Sequence, residues 1–405
     1  RPKEAEAASV AALPYDVFDE AEARKETLAH PHSFLNIDRP ETQFPEGYDM
    51  YAPEVYEKAA ELLKMWLLKG ILIRDEEPAY YLYSQTMNGR RQRGIVGCSL
   101  VDDYVENRIR KHENTRKEKE EDRVRHIDVT SMQTGPIFLA YRQNEEMRQL
   151  VSEMSGIPPV YDFVSEDGVR HEVRKIGNTE DIRRIREAFE HIPRTYIADG
   201  HHRAASAVRV CLKRRETHPD ADGSEEFNSF LSVLFADEEL SIMDYNRIVR
   251  IPEGKTDGEI LEKIGNAFEI TKEGPAGTFE KPTKKGTCGM YLDGQWFTLK
   301  AKPKIRSDDP VEGLDVRILQ KYVLDPVFYI RDPKSDPNID FVGGIRGLQE
   351  LERRCDEGRM AAFSMVPTSM DELFSVADEG RLMPPKSTWF EPKLRSGLLI
   401  HEIEK

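Results

Sequence analysis

Apolar residues at Val55, Ala59, Leu62, Leu63, Trp66 and Leu67 recur three and four positions apart. That spacing predicts an amphipathic helix from Pro53 to Lys69, with proline in its first turn and Gly70 after its end. The period then changes. Tyr80 to Met87 and Gly94 to Val101 are β-prone runs flanking Asn88-Gly89, a dipeptide suited to a two-residue hairpin. Val160 to Val164 and Val169 to Ile176 flank Glu166-Asp167-Gly168 in the same manner, and Gly289 to Lys300 folds through Asp293-Gly294. Strands are also expected at Thr195 to Ala198, Phe230 to Phe235 and Ala361 to Val366. Further helices are expected at Glu20 to Ala29, Asn114 to Ile127, Asn144 to Met154, Asn178 or Thr179 to Glu190, and from near His202. Three more follow at Asp315 to Leu324, Gly347 to Asp356, and Ser369 or Met370 to Glu379. The pattern is α+β, a mixed sheet with hairpins and surrounding helices, because hairpins argue against a purely parallel sheet.

The folded part is expected to begin at Pro14-Tyr15-Asp16-Val17. Gly, Pro and Lys crowd Glu273 to Gly286, which predicts an inserted loop or a subdomain boundary. Three parts are expected along the chain: 14–110 with the Asn-Gly hairpin, 111–247, and 248–405. A length of 405 residues accords with more than one core.

Composition narrows the partners. Hydrophobic residues at 39% and charged residues at 33% describe a well-hydrated globular protein, and no apolar run approaches the length that spans a bilayer. The opening, Arg1 to Ala12, lacks the order of a secretory signal, so a cytoplasmic protein is expected; it also lacks an initiator Met, so an upstream piece is expected to be missing. Cys98, Cys211, Cys288 and Cys355 are widely scattered, which predicts buried free thiols rather than disulfides or a CxxC metal pair. A net charge of −15 disfavours duplex DNA as a partner but leaves room for a local basic pocket.

The chemistry concentrates at Tyr196-Ile197-Ala198-Asp199-Gly200-His201-His202-Arg203, where an apolar strand stops at Asp-Gly and an Ala-rich helix begins. Gly200 admits close approach to the main chain, the helix start offers unpaired amides and the positive end of its dipole, and Arg203 adds a charged fork. The corner suits an anion such as phosphate; the bland alternative is a structural turn with solvent-facing histidines. Zinc fits the adjacent histidines poorly, since neighbouring residues rarely aim at one metal and no third ligand stands at a suitable spacing. Lys111-His112-Glu113-Asn114-Thr115 is a second candidate, Glu113 being a carboxylate able to take a hydroxyl proton or simply a solvated residue before a helix. Asn88 and Arg90, in Gln85-Thr86-Met87-Asn88-Gly89-Arg90-Arg91, could reach an acidic ligand or sit at a solvated hairpin tip. Lys386, Ser387 and Thr388 follow prolines rather than a phosphate-binding glycine loop, and read as a strap over the core or as substrate contacts.

With Pro14-Tyr15-Asp16-Val17, His32-Ser33-Phe34-Leu35, Gln85 to Gly89, Gly94 to Gly97, Lys111-His112-Glu113, Gly135-Pro136-Ile137-Phe138, Ala198 to Arg203 and Pro384 to Thr388 in view, the chain resembles the bacterial and archaeal family of domain of unknown function 1015. More distantly, His112-Glu113 followed by Asp199-Gly200-His201-His202-Arg203 looks like the paired motifs of the free serine kinases in the ParB-like and sulfiredoxin superfamily, which phosphorylate free L-serine. The resemblance implies a ParB-like nucleotide-binding core within 111–247, with Glu113 and His112 catalytic and Glu113 acting on the substrate hydroxyl. It implies Asp199 as organiser of metal or phosphate, Gly200, His201, His202 and Arg203 on the nucleotide phosphates, and Mg2+ with ATP or ADP. A nucleotide, a small hydroxylated metabolite and an optional second copy of the chain are the partners implied; neither duplex DNA nor a membrane is expected. The departure is the long interval between Glu113 and Asp199, which exceeds what the compact superfamily core needs. The rival class is a protein that binds CTP or ATP as a switch without metabolite chemistry.

Overall fold

Asn88 and Gly89 take φ of 51° and 78°, the two left-handed residues that a tight hairpin between right-twisted strands requires. They join β1 (Tyr80–Met87) to β2 (Arg90–Leu100), with Met87 opposite Arg90. In the computed structural model, which describes residues 1–404, this hairpin lies inside an eight-stranded mixed sheet. The other strands are β3 (Ile109–Arg110), β5 (Ile137–Tyr141), β6 (Tyr161–Val164), β7 (Arg170–Ile176), β8 (Thr195–Asp199) and β9 (Ser229–Ala236), while β4 (Met132–Gln133) lies outside it. The order is β3-β8-β5-β9-β2-β1-β7-β6, parallel at β3·β8 and β5·β9 and antiparallel elsewhere. The protein is therefore α+β with a mixed sheet.

The chain forms two units. The first is Arg1–Leu240 with the C-terminal segment from Pro392, and the second is Ser241–Glu391. The first unit has two apolar cores: one packs Leu82, Ile95, Leu139, Ile197 and Phe230 of the sheet against the helices Glu145–Met154, Thr179–Glu190 and His201–Thr217. The other gathers Phe34, Ala59, Leu63 and Trp66 around the helix Pro53–Leu68, the amphipathic face read from the sequence. In the second unit a six-stranded sheet carries Ile248, Tyr291, Trp296 and Ala362 against Leu351 and Cys355 of the helix Gly347–Asp356.

Some elements differ from the sequence reading. The residues before Pro14 are already part of the fold: Arg1 pairs with Asp75 at 2.9 Å, Pro2 bridges Leu72, and Ala12 bridges Ser396. An acidic, Ala-rich opening has no periodicity of its own, and it is ordered by partners far along the chain. Ile137–Tyr141 is a central strand buried at all five positions, so it shows no alternation from which to be recognised. Tyr245–Arg250 and Ile339–Gly343, likewise unpredicted, pair with each other in the second unit. The expected helix Asp315 to Leu324 is helical to Leu319 and then widens into a single π-type stretch over Gln320–Leu324.

Two pairings position the corner. The helix His201–Thr217 lies on the helix Lys117–Thr130, where Ser206, fully buried, donates to the Glu120 carbonyl at 3.0 Å. Ala204, Ala205 and Ala207 flank that serine, and side chains this small let two helices approach closely. The short β3 runs parallel to β8, with Arg110 opposite Tyr196, so the loop after β3 leaves beside the end of β8.

Candidate functional site

The apolar run of β8 ends at Asp199, and Gly200 turns the chain with φ 92° into the 17-residue helix His201–Thr217. A side chain at Gly200 would be strained by that angle, and its Cβ would stand 3.0–3.2 Å from the Arg203 guanidinium, which folds back over the turn. The helix has no capping side chain, so the amides of its first turn remain for another partner. Gly200 N donates to Asp199 Oδ1 at 2.9 Å, while the second carboxylate oxygen faces Lys393 Nζ at 3.3 Å and Arg203 Nη2 at 3.8 Å. Burial pushes the Asp199 carboxyl upward, but Lys393 and then Arg203 hold it well below the usual carboxylate range. Arg203 is aimed by a hydrogen bond from Nη1 to the Pro136 carbonyl at 2.6 Å. Gly135 makes room for it, since a Cβ there would lie 3.3 Å from the same nitrogen.

Parallel pairing of β3 with β8 brings His112 to His201. Their rings meet edge to face with centroids 4.5 Å apart, and both residues are buried. Burial lowers His112 to about 4, and burial together with His112 pushes His201 well below its ordinary value, so both are neutral at pH 7. His112 Nδ1 and His201 Nε2 are buried without a hydrogen-bond partner. Orphaned buried polar atoms are uncommon, and here two lie close to an uncapped helix start. His202 sits differently: its Nε2 accepts from the Arg116 amide at 2.9 Å, which ties the loop after β3 to the helix start. Glu113 is exposed in that loop, directly after the buried His112.

Beside Arg203 lies a cavity of about 30 Å³, lined by Tyr15, Asp38, Arg123, His126 and Thr134 among others. It has room for a water or two and no more. Tyr15 and Asp38 come from the N-terminal stretch, which sequence reading had not joined to the corner. Among the described residues no cluster of three or more His, Cys, Asp or Glu gathers that could hold a metal ion. A divalent ion at the corner would have Asp199 as its carboxylate and take its remaining oxygens from ligand and water, a manner of binding that suits Mg2+.

Other candidates are engaged elsewhere. Asn88 is exposed at the hairpin tip, and Arg90 donates to the Glu239 carbonyl at 2.9 Å. Lys386, Ser387 and Thr388 belong to the second unit: Arg247 Nη2 donates to the Lys386 carbonyl at 2.9 Å, and Ser387 Oγ donates to the Pro384 carbonyl at 2.6 Å. Lys393 is the residue that sequence reasoning missed. It stands five residues beyond Thr388, outside every motif of the sequence.

A family model described as protein of unknown function (DUF1015) matches residues 1–317. No curated protein matches the chain. Similar solved structures include a free serine kinase variant in complex with AMP, at 12% identity and a TM-score of 0.37, covering 74% of this chain and 92% of that one. They also include a conserved hypothetical protein from Pyrococcus furiosus, at 14% identity and a TM-score of 0.34, covering 74% and 93%. A C-terminally truncated SbnI from Staphylococcus aureus aligns at 13% identity and a TM-score of 0.38, covering 76% and 87%.

Proposed function

Because the chain belongs to the DUF1015 family, whose description names no reaction, we infer its activity from the corner itself: we propose a nucleotide-dependent phosphotransferase acting on the hydroxyl of a small metabolite, with free L-serine the first acceptor to test. The observation that carries the reading is the Asp199-to-Arg203 turn with His112 beside it: an uncapped helix start with a folded-back arginine, an ionised carboxylate held between two cations, and one orphaned imidazole nitrogen on each of His201 and His112.

Phosphoryl transfer asks for alignment, neutralisation of moving charge and a group to accept the hydroxyl proton. The helix amides and Arg203 would grip phosphate oxygens in a fixed geometry, since Arg203 is already aimed by Pro136. Neutral His112 and His201 can each donate one N–H without adding charge. Asp199 would hold Mg2+, which when bound would supply neutralising charge for the phosphates. Glu113, exposed beside His112, would accept the proton of the acceptor hydroxyl.

The experiment is purified protein with Mg2+, ATP or ADP, and serine, followed by phosphorus NMR and mass spectrometry. Phosphoserine is the expected product, and Glu113→Ala should lower its rate about a hundredfold or more. A screen of hydroxylated metabolites that shows no nucleotide consumption would sink the reading. A nucleotide-binding switch is the second reading, favoured by the engagement of Asp199 with both Lys393 and Arg203. Nucleotide affinity unchanged in Glu113→Gln, with no phosphorylated product, would select it.

A further inference from the structure

Resting on the phosphotransferase reading, we propose that Lys393 is a phosphate-contacting residue of the nucleotide site, delivered to the corner by the returning C-terminal segment. Its ammonium stands at the Asp199 carboxylate, Nζ to Oδ2 3.3 Å, with the side chain 15% exposed. In the bound state it turns to a phosphate oxygen while Asp199 takes the metal ion. Lysine suits this exchange, because its ammonium is a compact point charge with three donors that can trade one anion for another.

The surroundings fix this lysine more firmly than a surface ion pair needs. Gln85 on β1 and Gln92 on β2 are almost wholly buried, and Gln92 Nε2 donates to Gln85 Oε1 at 2.9 Å. Gln85 Nε2 in turn donates to the Lys393 carbonyl at 2.9 Å, and Gln92 Nε2 reaches the Pro392 carbonyl at 3.4 Å. Burying two amide side chains is costly unless they are satisfied, and here they hold consecutive carbonyls. Two residues on, buried Arg395 binds Asp167 and donates to Ser165 at 3.1 Å. The main chain is thus gripped at Pro392, Lys393 and Arg395, and the side chain between them reaches the one carboxylate of the Asp-Gly-His-His-Arg turn.

The test compares Lys393→Met and Lys393→Arg with the wild type by calorimetric titration of ATP and ADP in the presence of Mg2+, with thermal midpoints as folding controls. Lys393→Met should bind about tenfold more weakly or worse, the size of one charge-assisted contact, and Lys393→Arg should stay within about threefold of the wild type. A wild type that binds while Lys393→Met binds equally well overturns this inference and leaves the phosphotransferase reading standing. A wild type that binds neither nucleotide overturns both. If Lys393→Met fails to fold, acylation footprinting of the wild type decides: saturating Mg-ATP should slow modification of Lys393 and leave the exposed Lys321 unchanged, and an unaltered Lys393 rate counts against the proposal.

Discussion

At the scale of single residues, the corner owes its character to neutral histidines rather than charged ones. Burial lowers His112 to about 4 and His171, which bonds Tyr83 at 2.8 Å on the other side of the sheet order, to about 3. In the unfolded chain both should titrate near the ordinary value of about 6.5. Between about 6.5 and the lowered values the unfolded chain binds more protons than the folded one, so stability is full above that window and lost as pH falls through it. A urea midpoint measured at pH 7 and pH 5 should therefore fall, and His112→Gln should remove about 2 kcal/mol of that loss. An equal fall in the variant would mean that His112 is protonated in the folded state. Sequence alone singled out the two adjacent histidines but could not distinguish them: His201 is buried against His112, whereas His202 turns outward to accept from the Arg116 amide.

Elements decide where these residues stand. The start of the helix His201–Thr217 depends on Gly200, whose φ of 92° would strain any side chain and where a Cβ would press on the Arg203 guanidinium. Gly200→Ala should cost about 1 kcal/mol or more in denaturant stability and displace Arg203 enough to weaken nucleotide binding in the same titration. Stability lost with nucleotide affinity intact would show that Arg203 does not face the ligand. This turn was legible, since Asp-Gly between an apolar run and an Ala-rich stretch has few other uses. Its partner was not, because the pairing of Arg110 with Tyr196 takes two residues of strand, too short to leave any period in the sequence.

At the scale of the whole molecule, the C-terminal segment closes the first unit after the chain has completed the second. It is anchored by Arg395 on Asp167, by the Ala12 bridge to Ser396, and by His401–Glu402 pairing with Met132–Gln133. Arg395→Ala should cost about 2–4 kcal/mol by chemical denaturation, because it leaves His171, Ser165 and Asp167 without their shared donor. Loss below about 0.5 kcal/mol would mean the segment is held chiefly by its backbone pairing. The amino-acid sequence by itself determined the local elements: the hairpins through Asn-Gly and Asp-Gly, the amphipathic helices, and the glycine turn with its histidines and arginine, all governed by interactions within a few residues. Only the tertiary structure decided which distant pieces share the corner. His112 beside His201, Tyr15 near Arg203 and Lys393 on Asp199 are a ring contact, a shared cavity wall and an ion pair between distant segments, and such contacts carry no signature in the spacing of either partner.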